Sequence, residues 1–147
     1  MNRFTVTHDT IALDAFRRGM DDPSCGAYVQ FEGRVRNHNE GQPVLRLEYE
    51  IYEPLAVKEG ERILDEALAR YGVEKAAAEH RGGLMGLEEV AVVVGVSAAH
   101  RDEAFAACRY IIDELKIRLP IWKKEHYASG EARWVNCQRC ASAHDQG

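Results

Sequence analysis

The chain has 147 residues, 46% of them hydrophobic and 29% charged, which suits one compact domain with a sizeable core and excludes a disordered or fibrous chain. Nineteen Lys and Arg against 24 Asp and Glu leave a net charge of -5, so a general nucleic-acid binder is excluded and any anion site must be local. The longest apolar run, Val90 to Val96, is far short of a membrane span, Met1 to His8 carries no leader signature, and Cys25, Cys108, Cys137 and Cys140 are too scattered for a disulfide framework, so the expectation is a cytoplasmic protein with reduced thiols.

In chain order, a short strand over Phe4 to Thr7 and a short helix near Leu13 to Arg18 come first. Ala27, Val29, Phe31, Gly33 and Val35 then alternate with Tyr28, Gln30, Glu32, Arg34 and Arg36, the period of a strand with one buried face and both arginines on the polar side. The turn-rich Asn37 to Pro43 leads to a second alternating strand with Leu45, Leu47, Tyr49 and Ile51 on one face, and the two read as a hairpin with a long tip. Pro54 opens a helix whose stripe runs from Ala56 through Gly60, Ile63, Leu64, Ala67 and Leu68 to Tyr71, and Gly72 stops it. Lys75 to His80 reads as a strand, and the β-branched Val90 to Val96 as a strand buried on both faces. Ser97 begins a helix with Ala104, Phe105, Cys108, Ile111, Ile112 and Leu115 as its stripe, Asp102 and Glu103 at its positive end and Pro120 as its stop. Ile121 to Tyr127 and Glu131 to Val135 close a hairpin around Ser129-Gly130. The result is a single α+β domain over residues 1–136 and a partly ordered tail over 137–147.

Four groups of residues could carry chemistry. Arg34 and Arg36 end a strand beside a polar loop, where guanidinium groups can converge on phosphate or carboxylate; the bland reading is a solvated strand face. His100-Arg101 sits at a helix start, which already favours an anion; the alternative is a ring capping a backbone group and an arginine paired with Asp102 or Glu103. Lys116 falls at the edge of the apolar stripe beside Ile112, where partial desolvation would favour the neutral amine needed for base or acyl-acceptor work; edge lysines also simply reach out to water. On the following strand Lys123 lies opposite Trp122 and Lys124, so at most one of the two lysines points into a common pocket. Cys137-Gln138-Arg139-Cys140 with His144 offers too few ligands for zinc without a second CxxC.

Taken together, these segments resemble the MoaE family, the large subunit of molybdopterin synthase. The resemblance runs in order from about Cys25 to Val135: Phe31-x-Gly33-x-Val35-Arg36-Asn37, Leu47-x-Tyr49-Glu50-x-Tyr52, His80-Arg81-x-Gly83, Gly95-Val96-x-x-Ala99-His100-Arg101, and Asp113-x-Leu115-Lys116 continuing to Pro120-Ile121-Trp122-Lys123-Lys124-Glu125. It implies an α/β hammerhead-type fold with an antiparallel sheet and an additional β-hairpin region. It also implies a central homodimer with a small ubiquitin-like subunit at each end, a heterotetramer. That partner's C-terminal Gly-Gly thiocarboxylate would donate sulfur, twice, to cyclic pyranopterin monophosphate in molybdenum cofactor biosynthesis, with no metal or organic cofactor.

Carried over by residue, the resemblance makes Lys116 the essential active-site lysine and Lys123 the second pocket lysine. Arg36, His100 and Arg101 become ligands of the pterin phosphate. Arg139 stands where a C-terminal arginine can reach across the dimer, although the surrounding CxxC departs from the family pattern. Phe31 and Trp122 read as packing. Two competing classes are a homodimer that docks a ubiquitin-like protein without chemistry, which has no need of the five basic residues, and a thiol or metal protein acting through Cys137 and Cys140.

Overall fold

The computed structural model describes residues 3–135; the tail read as partly ordered, with Cys137, Arg139, Cys140 and His144, lies outside them. Strand β1 (Phe4–Thr7) and helix α1 (Leu13–Arg18) precede β2 (Ala27–Arg34), β3 (His38–Asn39), β4 (Gln42–Ile51) and α2 (Glu53–Tyr71). They are followed by β5 (Lys75–Arg81), β6 (Gly83–Gly86), β7 (Val90–Ala98), α3 (Arg101–Arg118), β8 (Ile121–Tyr127) and β9 (Ala132–Val135). This is the α+β class expected. One sheet has the order β1-β5-β7-β2, with β1 parallel to β5 and the other pairs antiparallel; the second runs β3-β4-β8-β9 with β6 also on β4. No helix among the described residues is long and apolar enough to cross a membrane.

The main core lies between the first sheet and the two long helices, with Phe4, Ile63, Leu64, Val94, Val96 and Ile111 fully buried. Helix α2 begins with proline in its first turn and ends at Gly72 with φ 65°, where the glycine N–H donates to Leu68 O and any L side chain would cost about 1 kcal/mol. Gly60 permits the closest approach in this layer: a Cβ there would lie 2.3 Å from Cγ of Phe4, so β1 tucks its ring under α2 only because the helix has no side chain at that point. Arg118 joins the helices by donating to Glu59 and Glu66 on α2 and to Glu114 on its own turn. A smaller core of Val35, Val44, Leu47, Met85, Ala91 and Tyr127 lies under the second sheet.

Several local expectations are corrected. Strands β2 and β4 do not form a hairpin, because β2 pairs with β7 in one sheet and β4 with β3, β6 and β8 in the other. Val35 exchanges backbone bonds with Glu88 and Glu89 and carries the chain between sheets. The turn residues instead close the small β3–β4 hairpin at Glu40-Gly41, with φ of 50° and 79°. On β4 a register irregularity between Val44 and Arg46 buries Val44 and leaves Leu45 50% exposed, since one extra residue reverses the alternation. Ser97 does not start a helix; it stays in β7, its hydroxyl donating to Met20 O at 2.6 Å, and His100 is the extended residue ahead of α3. Phe105 is exposed on α3 and Ala107 takes the buried place. Phe31 and Trp122 are exposed rather than packed, Trp122 on the side of β8 opposite Ile121.

Candidate active site

The site forms where the C-terminal end of α3 passes into β8. Leu119 leaves the helix at ψ 140° while its N–H still donates to Leu115 O, and Pro120 cannot continue the helical ladder. The Pro120 carbonyl accepts from Tyr52 N–H at 3.1 Å, which fixes this corner to the end of β4. Lys116, in the last turn, therefore faces a cavity of about 420 Å³ that β8 also borders. Alternation along β8 brings Ile121, Lys123 and Glu125 into the same cavity. Lys124 points to the other face, its ammonium 5.6 Å from the centre of the Trp134 ring, so only one of the two adjacent lysines shares the pocket.

Arg36 approaches from the segment after β2. A Cβ on Gly33 would lie 2.7 Å from Val92 Cγ1, so glycine lets β2 run tight against β7 before the irregularity at Gly33/Arg34 turns the chain. Arg34 and Arg36 both then line the cavity. Arg36 Nη2 donates to Asn39 Oδ1 at 3.3 Å, and Asn39 Nδ2 donates to Glu125 Oε1 at 2.8 Å. The Tyr127 hydroxyl donates to the same oxygen at 2.9 Å. Glu125 is only 4% exposed, so this chain of bonds is how its carboxylate is satisfied and how the guanidinium is oriented.

Burial lowers the pKa of Lys123; the positive charges of Lys116 and Arg36 push the same way and Glu125 opposes them. Three cations therefore act on one another inside a chain that is acidic overall. Burial, reinforced by the Glu125 charge, raises the Tyr49 hydroxyl to about 12, and burial lowers His80 to about 4. Both rings line the cavity and meet edge-on at 5.1 Å between centroids. Among the described residues no cysteine lines the cavity, and the Cys108 thiol on α3 is raised to about 11 by burial, which makes it a poor nucleophile. The arrangement can hold a compact anion beside an amine poised for proton transfer or acyl acceptance.

His100 and Arg101 are not brought to this cavity. Both are exposed at the N-terminal end of α3, with His100 Nδ1 3.9 Å from Glu103, and about 22 Å of helix rise separates Arg101 from Lys116. Within one chain Lys116, Lys123 and Arg36 converge, and His100 and Arg101 do not join them. Asn39, Tyr49, His80 and Glu125 were given no role in the sequence, although the last three stand inside the motifs that carry the resemblance and Glu125 shares the parity of Lys123 on one strand.

The likeness to known proteins is extensive. The chain is 48% identical over 126 residues to the molybdopterin synthase catalytic subunit of Thermoplasma volcanium, covering 86% of this chain and 91% of that one. It is 39% identical over 138 residues to the protein of the same name from Nostoc sp., covering 93% and 84% respectively. The crystal structure of molybdopterin synthase from Staphylococcus aureus superposes with a TM-score of 0.87 at 32% identity, over 92% of this chain and 98% of that chain. The family model described as MoaE protein matches residues 6–118, and the chain belongs to the MoaE family.

Proposed function

We propose that the chain is the catalytic subunit of a molybdopterin synthase, transferring sulfur from the C-terminal thiocarboxylate of a small ubiquitin-like partner to cyclic pyranopterin monophosphate. The observation that carries this is the convergence of Lys116, Lys123 and Arg36 on one cavity. The relatives' name, catalytic subunit, also implies a second component.

In this reading the thiocarboxylate sulfur forms a C–S bond to a side-chain carbon of the pterin as a C–O bond at that carbon breaks and its oxygen leaves with a proton from Lys116, and the carrier is then released from the resulting thioester. Hydrolysis of the thioester, directly or through an acyl-Lys116 amide that water then cleaves, leaves the sulfur on the pterin and frees the carrier as its carboxylate; a second carrier repeats the step. Lys116 moves protons, Lys123 stabilises developing negative charge, and Arg36, held by Asn39, binds the pterin phosphate. Metal and organic cofactors have no part in this step. His100 and Arg101 serve the same phosphate only from a second copy of the chain, in keeping with a homodimer at the centre of a heterotetramer. Arg139 would reach the same site across the dimer. The expected setting is the cytoplasm.

The test is reconstitution: purified protein, thiocarboxylated carrier and pterin precursor, assayed for molybdopterin. Product should require all three. Product formed with free sulfide in place of the carrier would refute the proposal.

A further inference from the structure

One buried titratable ring in the cavity has no part in the transfer just described. His80 is the last inward-facing residue of β5, in register with Val6 on β1 and Val92 on β7, and only 8% of it is exposed. Its ring is fixed in two ways. Nδ1 lies 2.9 Å from the carbonyl oxygen of Arg81, and the Tyr49 ring meets it at an interplanar angle of 75°. A carbonyl can only accept, so Nδ1 carries the hydrogen and the neutral ring keeps its lone pair on Nε2. His80 and Lys116 line the same cavity, where the ammonium charge opposes a second proton on the ring, although no hydrogen bond joins the two in this conformation of the lysine.

We propose that His80 is a positioning residue for Lys116: its Nε2 lone pair accepts a hydrogen bond from the lysine Nζ and holds the amine toward the incoming acyl group. This rests on the reading of Lys116 as the proton-transfer group. The residue type suits the task. A carboxylate in this place would favour the ammonium and keep the lysine charged, whereas a neutral acceptor holds ammonium and amine alike. Burial, which keeps the imidazole neutral down to about pH 4, makes it such an acceptor throughout the working range.

Two substitutions separate this role from simple packing. Gln places a carbonyl oxygen near the Nε2 position, while Asn reproduces only the donor at Nδ1. His80→Asn should lower kcat about tenfold with little change in KM for the pterin, and His80→Gln should restore most of the loss. Full activity in Asn with loss in Gln would make the Arg81 bond the whole role and overturn the proposal. A second measurement needs no change in the buried ring. The ¹⁵N resonance of His80 Nε2 at neutral pH should move when Lys116→Met removes the donor, and an unmoved resonance overturns the contact. A moved resonance with full turnover in Lys116→Met would keep the contact and refute the catalytic reading of Lys116 instead.

Discussion

His80 should make folding stability depend on pH within a defined window. Its ordinary pKa of 6.5 is lowered to about 4 by burial, with the Lys116 charge pushing the same way and the Arg81 carbonyl opposing. Above the unfolded value the ring is neutral in both states and contributes nothing. Between 6.5 and about 4 the unfolded chain binds a proton that the native protein refuses, so native stability falls as pH falls and the loss is complete below the folded value. That interval is worth about 3 kcal/mol, or roughly 10 °C in Tm for a domain of this size. The groups sharing the cavity with the ring are Tyr49, raised to about 12, together with Lys116, Lys123, Arg34, Arg36, His38 and Glu125. Glu66, Glu89 and Asp22, whose pKa values are lowered by their hydrogen-bond partners, also weaken the fold toward acid, but equally in a variant at position 80. The assay is therefore a difference: Tm of wild type and of His80→Gln by scanning calorimetry between about pH 7 and about pH 4. The wild type should lose the additional amount. Parallel curves would mean that the ring is not held neutral and buried.

Lys116→Ala should reduce kcat by about 10²- to 10⁴-fold while shifting stability by no more than about 0.5 kcal/mol, because the residue is exposed and leaves no cavity in the core. Lys116→Arg should fail as well, since a guanidinium does not release its proton; near-normal turnover there would reduce the role to charge. Arg36→Ala should raise KM for the pterin about tenfold or more, and unchanged kinetics would place the phosphate elsewhere. If His100 and Arg101 act from a second copy, mixing inactive Lys116→Ala and Arg101→Ala proteins under subunit exchange should recover about a quarter of wild-type activity, because half of the mixed dimers' sites are intact. No recovery in demonstrated mixed dimers would confine each site to one chain. Gly60→Ala should destabilise by about 1–3 kcal/mol in thermal melts, since the new methyl meets the buried Phe4 ring.

What the sequence made legible was whatever local periodicity encodes. The stripe of α2 and its glycine stop, the all-round burial of β7 and the closing hairpin at Ser129-Gly130 follow from spacing alone, and each has its place in the fold. The errors arose where long-range pairing decides. Leu45 alternates properly with Leu47 and Tyr49, yet a bulge set by the partner strand β8 expels it. Alternation could not show that β2 and β4 belong to different sheets. The site divides in the same way. Helix phase put Lys116 at the border of an apolar stripe, and strand parity separated Lys123 from Lys124. Asn39 and His80 entered the site through contacts between segments far apart in sequence, for which one unaligned chain carries no local sign.

The corner at Leu119-Pro120 has a consequence for how the protein can change over evolutionary time. Lys116 and Lys123 are carried by a single helix–strand transition, closed by the Leu119 to Leu115 and Ile121 to Leu119 bonds and tied to the end of β4 by the Tyr52 to Pro120 bond and the β4–β8 ladder. The spacing of the two amines is thus set by one short stretch of chain and the backbone ladder beside it, which is indifferent to most side-chain changes. The guanidinium of Arg36 depends instead on Asn39 reaching Glu125 across 86 positions. Substitutions scattered over two sheets can retune its orientation while the amine pair stays where it is. Anion recognition is therefore the adjustable half of the pocket, and a lineage meeting a differently shaped phosphate ester could adapt there without rebuilding its chemistry.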